Sequence, residues 1–246
     1  MISPTSVPAI STVEAASATT GTAGVPFDIE LQSRQQDSTI NDDPSDPDIY
    51  TVTLTCGTDT VPTYTETATL SARGVYRATM TATIADTYTV SVHLTNAYTA
   101  TSSAIPTEIS GSPFTLTVIP GQMDPVQCYT DMPSSPTMGA GTSFDFSIWF
   151  VDLWGNLHTA STLENELSLG GYIVDSNTVY DNHDDWFSPI GVPDIPDWML
   201  TYGTTLSATP QVMNDGTRQG QVQIERAGAY TLQITVDGTQ VKDAPF

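Results

Sequence analysis

One stretch of the chain, between Leu163 and Met199, concentrates the residue types that could bind a metal ion or a sugar. It carries carboxylate and imidazole groups, which are metal ligands in proteins, on Asp181, His183, Asp184 and Asp185. Trp186, Phe187 and Trp198 add flat aromatic faces of the kind that stack on sugar rings. The same residues also fit an ordered loop whose aromatic side chains pack on the protein while its aspartates face water. We favour that interpretation, with a carbohydrate-binding surface as the first alternative and a metal site as the second.

General-base catalysis near neutral pH would have to use one of three histidines, His93, His158 or His183. None of them lies in a recognisable catalytic motif, and the chain has no nucleophile elbow, no phosphate-binding glycine loop and no His-Glu-x-x-His zinc motif. Paired carboxylates could hydrolyse a glycosidic bond at a separation of about 5 to 10 Å, which a sequence does not reveal. We therefore predict no catalytic residue, no cofactor and no metal, and expect that the chain is not an enzyme.

A second acidic segment, Asn41–Asp48, contains four aspartates separated by prolines. Calcium takes six to eight oxygen ligands, so these carboxylates could contribute to a site. Their spacing matches no calcium-binding loop pattern. We expect a solvated loop whose stability does not depend on calcium.

The chain has only two cysteines, Cys56 and Cys128. Cys56 shares one face of a predicted strand with Val52 and Leu54, which favours a small buried side chain. The two cysteines fall in different predicted domains, so a disulfide would have to cross between them. Two cysteines without a neighbouring histidine do not suit a zinc site.

The charge balance excludes several classes of partner. Asp and Glu number 28 against 6 Lys and Arg, giving a net charge of −22. Nucleic acid and anionic membranes need a basic surface, and no apolar stretch approaches the roughly 18 residues of a membrane span. Met1–Ala9 lacks the features of a signal peptide. A threonine-rich surface with one lysine suits an extracellular segment of a longer protein, although adaptation to high salt is an alternative.

Apolar and hydroxyl-bearing residues alternate along many short segments, which predicts half-buried β-strands. In the first half these segments include Tyr50–Cys56, Tyr64–Leu70, Tyr76–Ile84 and Phe114–Val118. Seven or eight such strands are the number that an immunoglobulin-like sandwich needs. In the second half an inward row recurs at Phe144, Phe146, Ile148 and Phe150. The pattern predicts an all-β chain.

Short motifs recur along this strand pattern. Gly-x-Tyr opens a strand in Gly74–Tyr76 and Gly228–Tyr230, and Asp86–Tyr88 has aspartate in place of the glycine. A Pro-Phe pair opens another strand in Gly111–Phe114 and in Asp243–Phe246. The second half adds an Asp-x-x-Gly-Asn turn, whose glycine and asparagine tolerate positive φ, as its sequence Asp152-Leu-Trp-Gly-Asn156 indicates. Together these motifs resemble filamin-type immunoglobulin repeats.

The resemblance implies a spacer that docks partner segments by adding a strand beside its strands C and D. The corresponding edge in this chain lies near Tyr50–Cys56 and Tyr64–Leu70. An intracellular, filamin-like cytoskeletal scaffold stays an alternative, which the hydroxyl-rich, lysine-poor surface and the absence of an actin-binding domain weaken.

Comparison of the two copies predicts their boundaries. Phe27 matches Phe144 at a difference of 117, Tyr88 matches Tyr230 at 142, and Phe114 matches Phe246 at 132. These differences predict about 25 extra residues before Tyr230 in the second copy, in an insertion around 163–199, and about 10 extra before the last strand of the first. We predict two tandem immunoglobulin-like, filamin-type β-sandwich domains, 1–121 and 122–246.

The second copy reaches Phe246, whereas the first continues past the matching phenylalanine through Leu116 and Val118. We therefore expect a truncated last strand, with the edge beside Tyr230–Val236 open or filled by residues of another molecule rather than by Met1–Ser11.

The function expected from these patterns is that of a non-enzymatic structural or adhesive module at the cell surface or outside the cell. Its partners would be proteins or neighbouring repeats of the same assembly. A carbohydrate-binding module that uses Trp186, Phe187 and Trp198 is the alternative, with glycans as ligands. Nucleic acid and membrane insertion are not expected.

Overall fold

The computed structural model describes residues 11–14, 19–35, 38–41, 48–57, 61–95, 106–159, 169–175, 204–208, 217–224, 229–236 and 238–246. Within these ranges every helix or strand element is a β-strand. The chain divides into two compact units, Met1–Gly121 and Gln122–Phe246. Over the same ranges, no helix of the length and apolarity needed to cross a membrane is found.

The first unit contains nine strands: β1 (Thr12–Val13), β2 (Thr20–Thr22), β3 (Phe27–Gln32), β4 (Tyr50–Cys56), β5 (Tyr64–Ala72), β6 (Val75–Met80), β7 (Thr87–Leu94), β8 (Thr107–Glu108) and β9 (Phe114–Ile119). They are hydrogen-bonded in the order β1-β3-β6-β5-β4-β7-β9-β2, and β8 also pairs with β7. All pairs are antiparallel except β2 with β9. The strand β5 connects the two sheets of the sandwich, β1-β3-β6 and β4-β7-β9-β2. Its first part, Tyr64–Ala68, pairs with β4, and its second part, Thr69–Ala72, pairs with β6.

The alternation seen in the sequence fills the core of this unit. Its fully buried aliphatic side chains come from β3, β4, β7 and β9, and include Ile29, Leu31, Val52, Leu54, Val90, Val92 and Leu116. Each contributes about 1.5 to 3 kcal/mol by leaving water. The prediction of an all-β, immunoglobulin-like sandwich is confirmed.

The second unit contains seven described strands: β10 (Tyr129–Thr130), β11 (Ser143–Trp149), β12 (Leu169–Asp175), β13 (Thr204–Ala208), β14 (Thr217–Ile224), β15 (Tyr230–Val236) and β16 (Thr239–Gln240). They form a four-stranded sheet, β10-β11-β14-β13, and a three-stranded sheet, β12-β15-β16. A second core lies around Phe146, Ile148, Phe150, Val222 and Ile234.

Strand register makes the two units equivalent residue by residue. Ile29 pairs with Ala78 in the first unit as Phe146 pairs with Gly220 in the second. The larger aromatic ring is accommodated because Gly220 has no side chain: a Cβ there would lie 2.3 Å from the Phe146 ring. The larger side chain on β11, Phe146 in place of isoleucine, is thus offset by the smaller residue on β14, Gly220 in place of alanine.

The same register shows where the two copies differ in length. Leu94 pairs with Tyr50 as Val236 pairs with Leu169, so β4 and β12 match at a difference of 119. The strands β6 and β14 match at 142. The 23 extra residues of the second unit therefore lie between Asp175 and Thr217, a range that overlaps the insertion predicted around 163–199.

The Gly-x-Tyr motifs hold strands in place. Gly74 has φ +68°, and a Cβ on it would lie 2.4 Å from Ile40 Cγ2. The hydroxyl of Tyr76 accepts a hydrogen bond of 2.9 Å from the backbone N–H of Asp48. The hydroxyl of Tyr88 donates to the carbonyl of Ile84 at 2.8 Å, the tyrosine corner of immunoglobulin-like sandwiches.

Candidate functional site

The residues for which the sequence predicted a binding surface, Trp186, Phe187 and Trp198, lie outside the described residues. The same holds for Asp181, His183, Asp184 and Asp185. In the described ranges no group of three or more His, Cys, Asp or Glu side chains is placed to hold a metal ion. The sugar-binding and metal-binding alternatives therefore stay predictions.

The acidic segment Asn41–Asp48 is described only at its two ends. Asp48 is buried, and its Oδ2 accepts hydrogen bonds from the hydroxyls of Ser33 and Tyr50 and from Asn41 Nδ2, the last at 3.0 Å. The Tyr50 hydroxyl also donates to Ser11 Oγ at 3.2 Å. One of the four aspartates is thus held in an internal network of hydroxyl and amide donors.

The phenol of Tyr50 stays neutral in this network. Burial raises the pKa of Tyr50 well above its ordinary value, and the nearby carboxylate of Asp48 acts in the same direction. Tyr50 therefore stays protonated, and its single hydroxyl hydrogen lies within reach of both Ser11 Oγ and Asp48 Oδ2. The network joins the start of β4 to the end of β3 and is structural.

Both cysteines are thiols. Cys56 Sγ donates to Asp86 Oδ2 at 3.0 Å. This bond, together with one from the Thr87 backbone N–H, lowers the pKa of Asp86. Cys128 is fully buried, with its Sγ 3.4 Å from the carbonyl oxygen of Asp124.

The Asp-x-x-Gly-Asn motif forms a rigid turn that presents apolar side chains to solvent. Asp152 Oδ1 accepts from the backbone N–H groups of Trp154 and Asn156, both at 2.9 Å, and Oδ2 accepts from Asn156 Nδ2 at 2.8 Å. Gly155 has φ +84°. Leu153, Trp154 and Leu157 are exposed, Trp154 by 53%. Such apolar side chains on one fixed turn are a candidate contact surface.

The strand pairing corrects the position at which we expected a partner strand to add. β4 is paired on both sides, with β5 through Val52 and Glu66 and with β7 through Val52 and Val92. An added strand therefore cannot pair with β4, which corrects the expectation for Tyr50–Cys56. The first half of β5 has β4 on one side, and in the described part of the chain no strand pairs with the opposite side of residues 64–67.

A groove of about 390 Å³ opens in the second unit, between residues 134–140 and β15. Its walls include Met138, Ala229 and Tyr230, and apolar side chains from Val222, Ile224, Leu232 and Phe246 reach it from within the sandwich. Ser134, Ser135 and Thr137 add hydroxyl groups along one side. The groove therefore combines an apolar interior with a neutral, hydroxyl-bearing rim.

The chain's own residues cover the edge of β15 beside this groove from Leu232 to Val236. β16 pairs with Thr235 and Val236, and the backbones of Phe246 and Leu232 exchange two hydrogen bonds of 2.9 Å. The expected open edge is thus closed by the chain's own residues as far as Leu232. Residues 1–10, the other candidate for closing it, lie outside the described ranges.

No protein-family profile matches the chain, and no curated protein sequence does. Among solved structures it is similar to the Escherichia coli adhesin FdeC, at 16% identity and a TM-score of 0.45, over 98% of this chain and 64% of that one. Invasin, a bacterial integrin-binding protein, has 18% identity and a TM-score of 0.48, over 98% of this chain and 39% of that one.

The Lin-41 filamin domain is similar at 20% identity and a TM-score of 0.34, over 47% of this chain and 97% of that domain. The chain spans less than two thirds of the lengths of the FdeC and invasin chains. At these identities and TM-scores, the immunoglobulin-like fold rests on the strand order and register given above.

Proposed function

We propose that the chain is a non-enzymatic structural and adhesive module of a larger cell-surface or extracellular protein. Its two units are filamin-type repeats that act as spacers and present interaction surfaces to protein partners or to neighbouring repeats. The observation that carries the proposal is the register equivalence of the two sandwiches, which makes the chain a repeat of one structural unit.

The surface chemistry supports an extracellular location. On β7 and β9 the outward positions Thr87, Thr89, Thr115 and Thr117 are exposed, while the residues between them are buried. Neutral hydroxyl groups keep a sheet face hydrated without charge and are acceptors for O-linked sugars. With one lysine and a net charge of −22, the chain is poorly suited to nucleic acid or an anionic membrane.

Two described surfaces support a protein-binding role. The outer side of β5 at residues 64–67 offers backbone groups for an added strand, and most of its side chains are exposed. The turn at Leu153, Trp154 and Leu157 offers apolar contact area of the kind found at the centres of interfaces. Strand addition on β5 and apolar contact at the turn are the two modes of binding that we propose.

The test compares cells that make the whole parent protein with cells in which residues 1–246 are deleted in frame. A third strain carries an unrelated pair of β-sandwich domains of the same length in their place. We expect deletion to lower attachment to the partner cell or matrix, and the replacement to restore only the part that depends on length. Attachment that deletion leaves unchanged would overturn the proposal.

A further inference from the structure

We propose that the outer face of the four-stranded sheet of the second unit is a glycan-binding site. Its ligand is a neutral oligosaccharide of pyranose sugars, which lies across β10, β11 and β14. The site uses other residues than the strand edge and the turn proposed above to bind proteins, and it does not depend on them.

Alternation along the strands separates this face from the core. On β11, Ile148 is buried in the core, so its neighbours Ser147 and Trp149 lie on the outer side. On β14 the outer residues Gln219 and Gln221 are exposed. Ser147 lies opposite Gln219 in the strand register. The outer face therefore presents hydroxyl, amide and aromatic groups side by side.

The aromatic part of the face is a pair of stacked rings. Tyr129 on β10 lies opposite Trp149 on β11, and the two rings are nearly parallel, with centroids 5.4 Å apart and planes 8° apart. Both residues are half-buried, so part of each ring faces water. Flat apolar rings of this kind pack against the C–H face of a pyranose, while their polar atoms stay hydrated.

Polar side chains continue the face beyond the rings. Gln221 Nε2 donates to Asp145 Oδ1 at 2.7 Å, which holds both side chains in place. The row of Ser147 and Gln219 lies between this pair and the rings, and successive rows on a strand are about 7 Å apart. Hydroxyl, amide and carboxylate groups supply the donors and acceptors that sugar hydroxyls need. An aromatic platform followed by two polar rows suits an oligosaccharide rather than a single sugar.

The first unit shows what the same positions hold without the aromatic pair. At a difference of 117, Tyr129 and Trp149 correspond to Thr12 and Gln32, which also lie opposite each other. The side chain of Gln32 is buried, and its Nε2 donates to the carbonyl of Gly74 at 2.9 Å. The polar pair of the first unit is thus bonded internally, whereas the second unit has two rings that reach the surface.

The next row differs in the same sense. Ser147 and Gln219 correspond to Glu30 and Arg77, which lie opposite each other and form an ion pair with Arg77 Nη2 2.5 Å from Glu30 Oε1. In the first unit these two charged groups therefore bond to each other. The second unit replaces them by neutral side chains that can both donate and accept hydrogen bonds.

Charge selects the class of sugar. Two carboxylates, Asp131 and Asp145, lie on or beside the described part of this face, and each accepts a hydrogen bond of 2.7 Å. The arginine of β14, Arg218, points to the opposite side, with its guanidinium 5.8 Å from the centre of the Phe150 ring. In a chain of net charge −22, sialylated or sulfated sugars are repelled. Neutral sugars can donate hydroxyl hydrogens to the carboxylates.

The experiment applies the purified whole chain to an array of immobilised oligosaccharides of glucose, galactose, mannose and N-acetylglucosamine, with sialylated and sulfated oligosaccharides on the same array. Two double variants give the face the residues of the first unit: Tyr129→Thr with Trp149→Gln, and Ser147→Glu with Gln219→Arg. Because the first unit folds with these pairs, both variants are expected to fold, which thermal unfolding followed by circular dichroism checks. The control is Val25→Gln, at a residue of the first unit that is 52% exposed.

We expect the unaltered chain to bind neutral oligosaccharides and not anionic ones, and each double variant to lose at least about tenfold in affinity. The control should bind as the unaltered chain does. The absence of binding to any neutral oligosaccharide, a preference for anionic ones, or binding that both folded double variants keep would overturn the proposal. Binding that is lost instead in Trp186→Ala or Trp198→Ala would place the sugar site in the insertion.

Discussion

The carboxylate of Asp152 holds the exposed turn of the second unit, and its removal tests how the motif works. Asp152→Ala removes three hydrogen-bond acceptor contacts, to the N–H groups of Trp154 and Asn156 and to Asn156 Nδ2. The bond from the Trp154 N–H is part-buried, on a residue that is 53% exposed, and we expect its loss to cost least of the three. The two donors of Asn156 are buried, and each costs roughly 1 to 3 kcal/mol when unsatisfied. We expect a loss of about 2 to 6 kcal/mol in the free energy of unfolding.

Tryptophan fluorescence measures this loss selectively, because all four tryptophans belong to the second unit: Trp149, Trp154, Trp186 and Trp198. In urea, with an m-value of about 2 kcal/mol/M from the middle of the usual range, the midpoint of the fluorescence transition should fall by about 1 to 3 M. The urea midpoint of the first unit, followed by the far-ultraviolet circular dichroism of the whole chain, should stay unchanged.

Two variants complete the test. Asp152→Asn retains an acceptor for the backbone N–H groups but brings its NH₂ group against that of Asn156, so an intermediate loss of about 1 to 2 kcal/mol is expected. Asp145→Ala removes an aspartate that is exposed on β11 and accepts a bond from Gln221, and should cost under about 1 kcal/mol. A loss for Asp152→Ala no larger than that for Asp145→Ala would refute the reasoning.

Three further predictions concern glycine positions and calcium. Gly74→Ala places a Cβ 2.4 Å from Ile40 Cγ2 at φ +68°, so it should lower the free energy of unfolding, followed by circular dichroism, by more than about 2 kcal/mol. The control Gly57→Ala, whose added Cβ has nothing within 4 Å, should lower it by under about 1 kcal/mol. Similar losses for the two variants would contradict this reasoning. Gly220→Ala should destabilise the second unit by about 1 to 3 kcal/mol, because the added Cβ meets the Phe146 ring. Adding Phe146→Ile recreates the Ile29–Ala78 pair of the first unit and should recover most of that loss. A double variant no more stable than the single one would count against the equivalent register of the two units. Added calcium should leave the melting temperature unchanged, since we expect Asn41–Asp48 to bind none; a clear rise would show a site there.

Local signals in the sequence account for much of the fold. Strict alternation of apolar and hydroxyl-bearing residues predicts strands such as β4, β7 and β9 with the correct faces inward. The turn after β11 is predictable because all its hydrogen-bonding groups lie between Asp152 and Asn156. The matching turn in the first unit is not, because its positive-φ position is held by Ser38 (φ 66°) rather than by a glycine such as Gly155 (φ 84°) in the second unit.

Features built from distant segments escape such signals. The burial of Asp48 depends on Ser33 and Tyr76, which lie far from it in the chain, so the acidic, proline-rich sequence by itself indicates only a solvated loop. The pairing of β4 on both sides could not be inferred from the strand itself. The groove likewise arises where residues 134–140 and β15, almost 100 residues apart, face each other.

The central claim is that this chain is a module of the cell surface, and antibody labelling of intact cells tests it most directly. Antibodies raised against residues 1–246 are applied to the cells that make the parent protein, before and after permeabilisation, with an antibody to a cytosolic protein as the control. We expect intact cells to bind the antibody as strongly as permeabilised ones, and protease treatment of intact cells to remove the signal. Labelling that appears only after permeabilisation would contradict it.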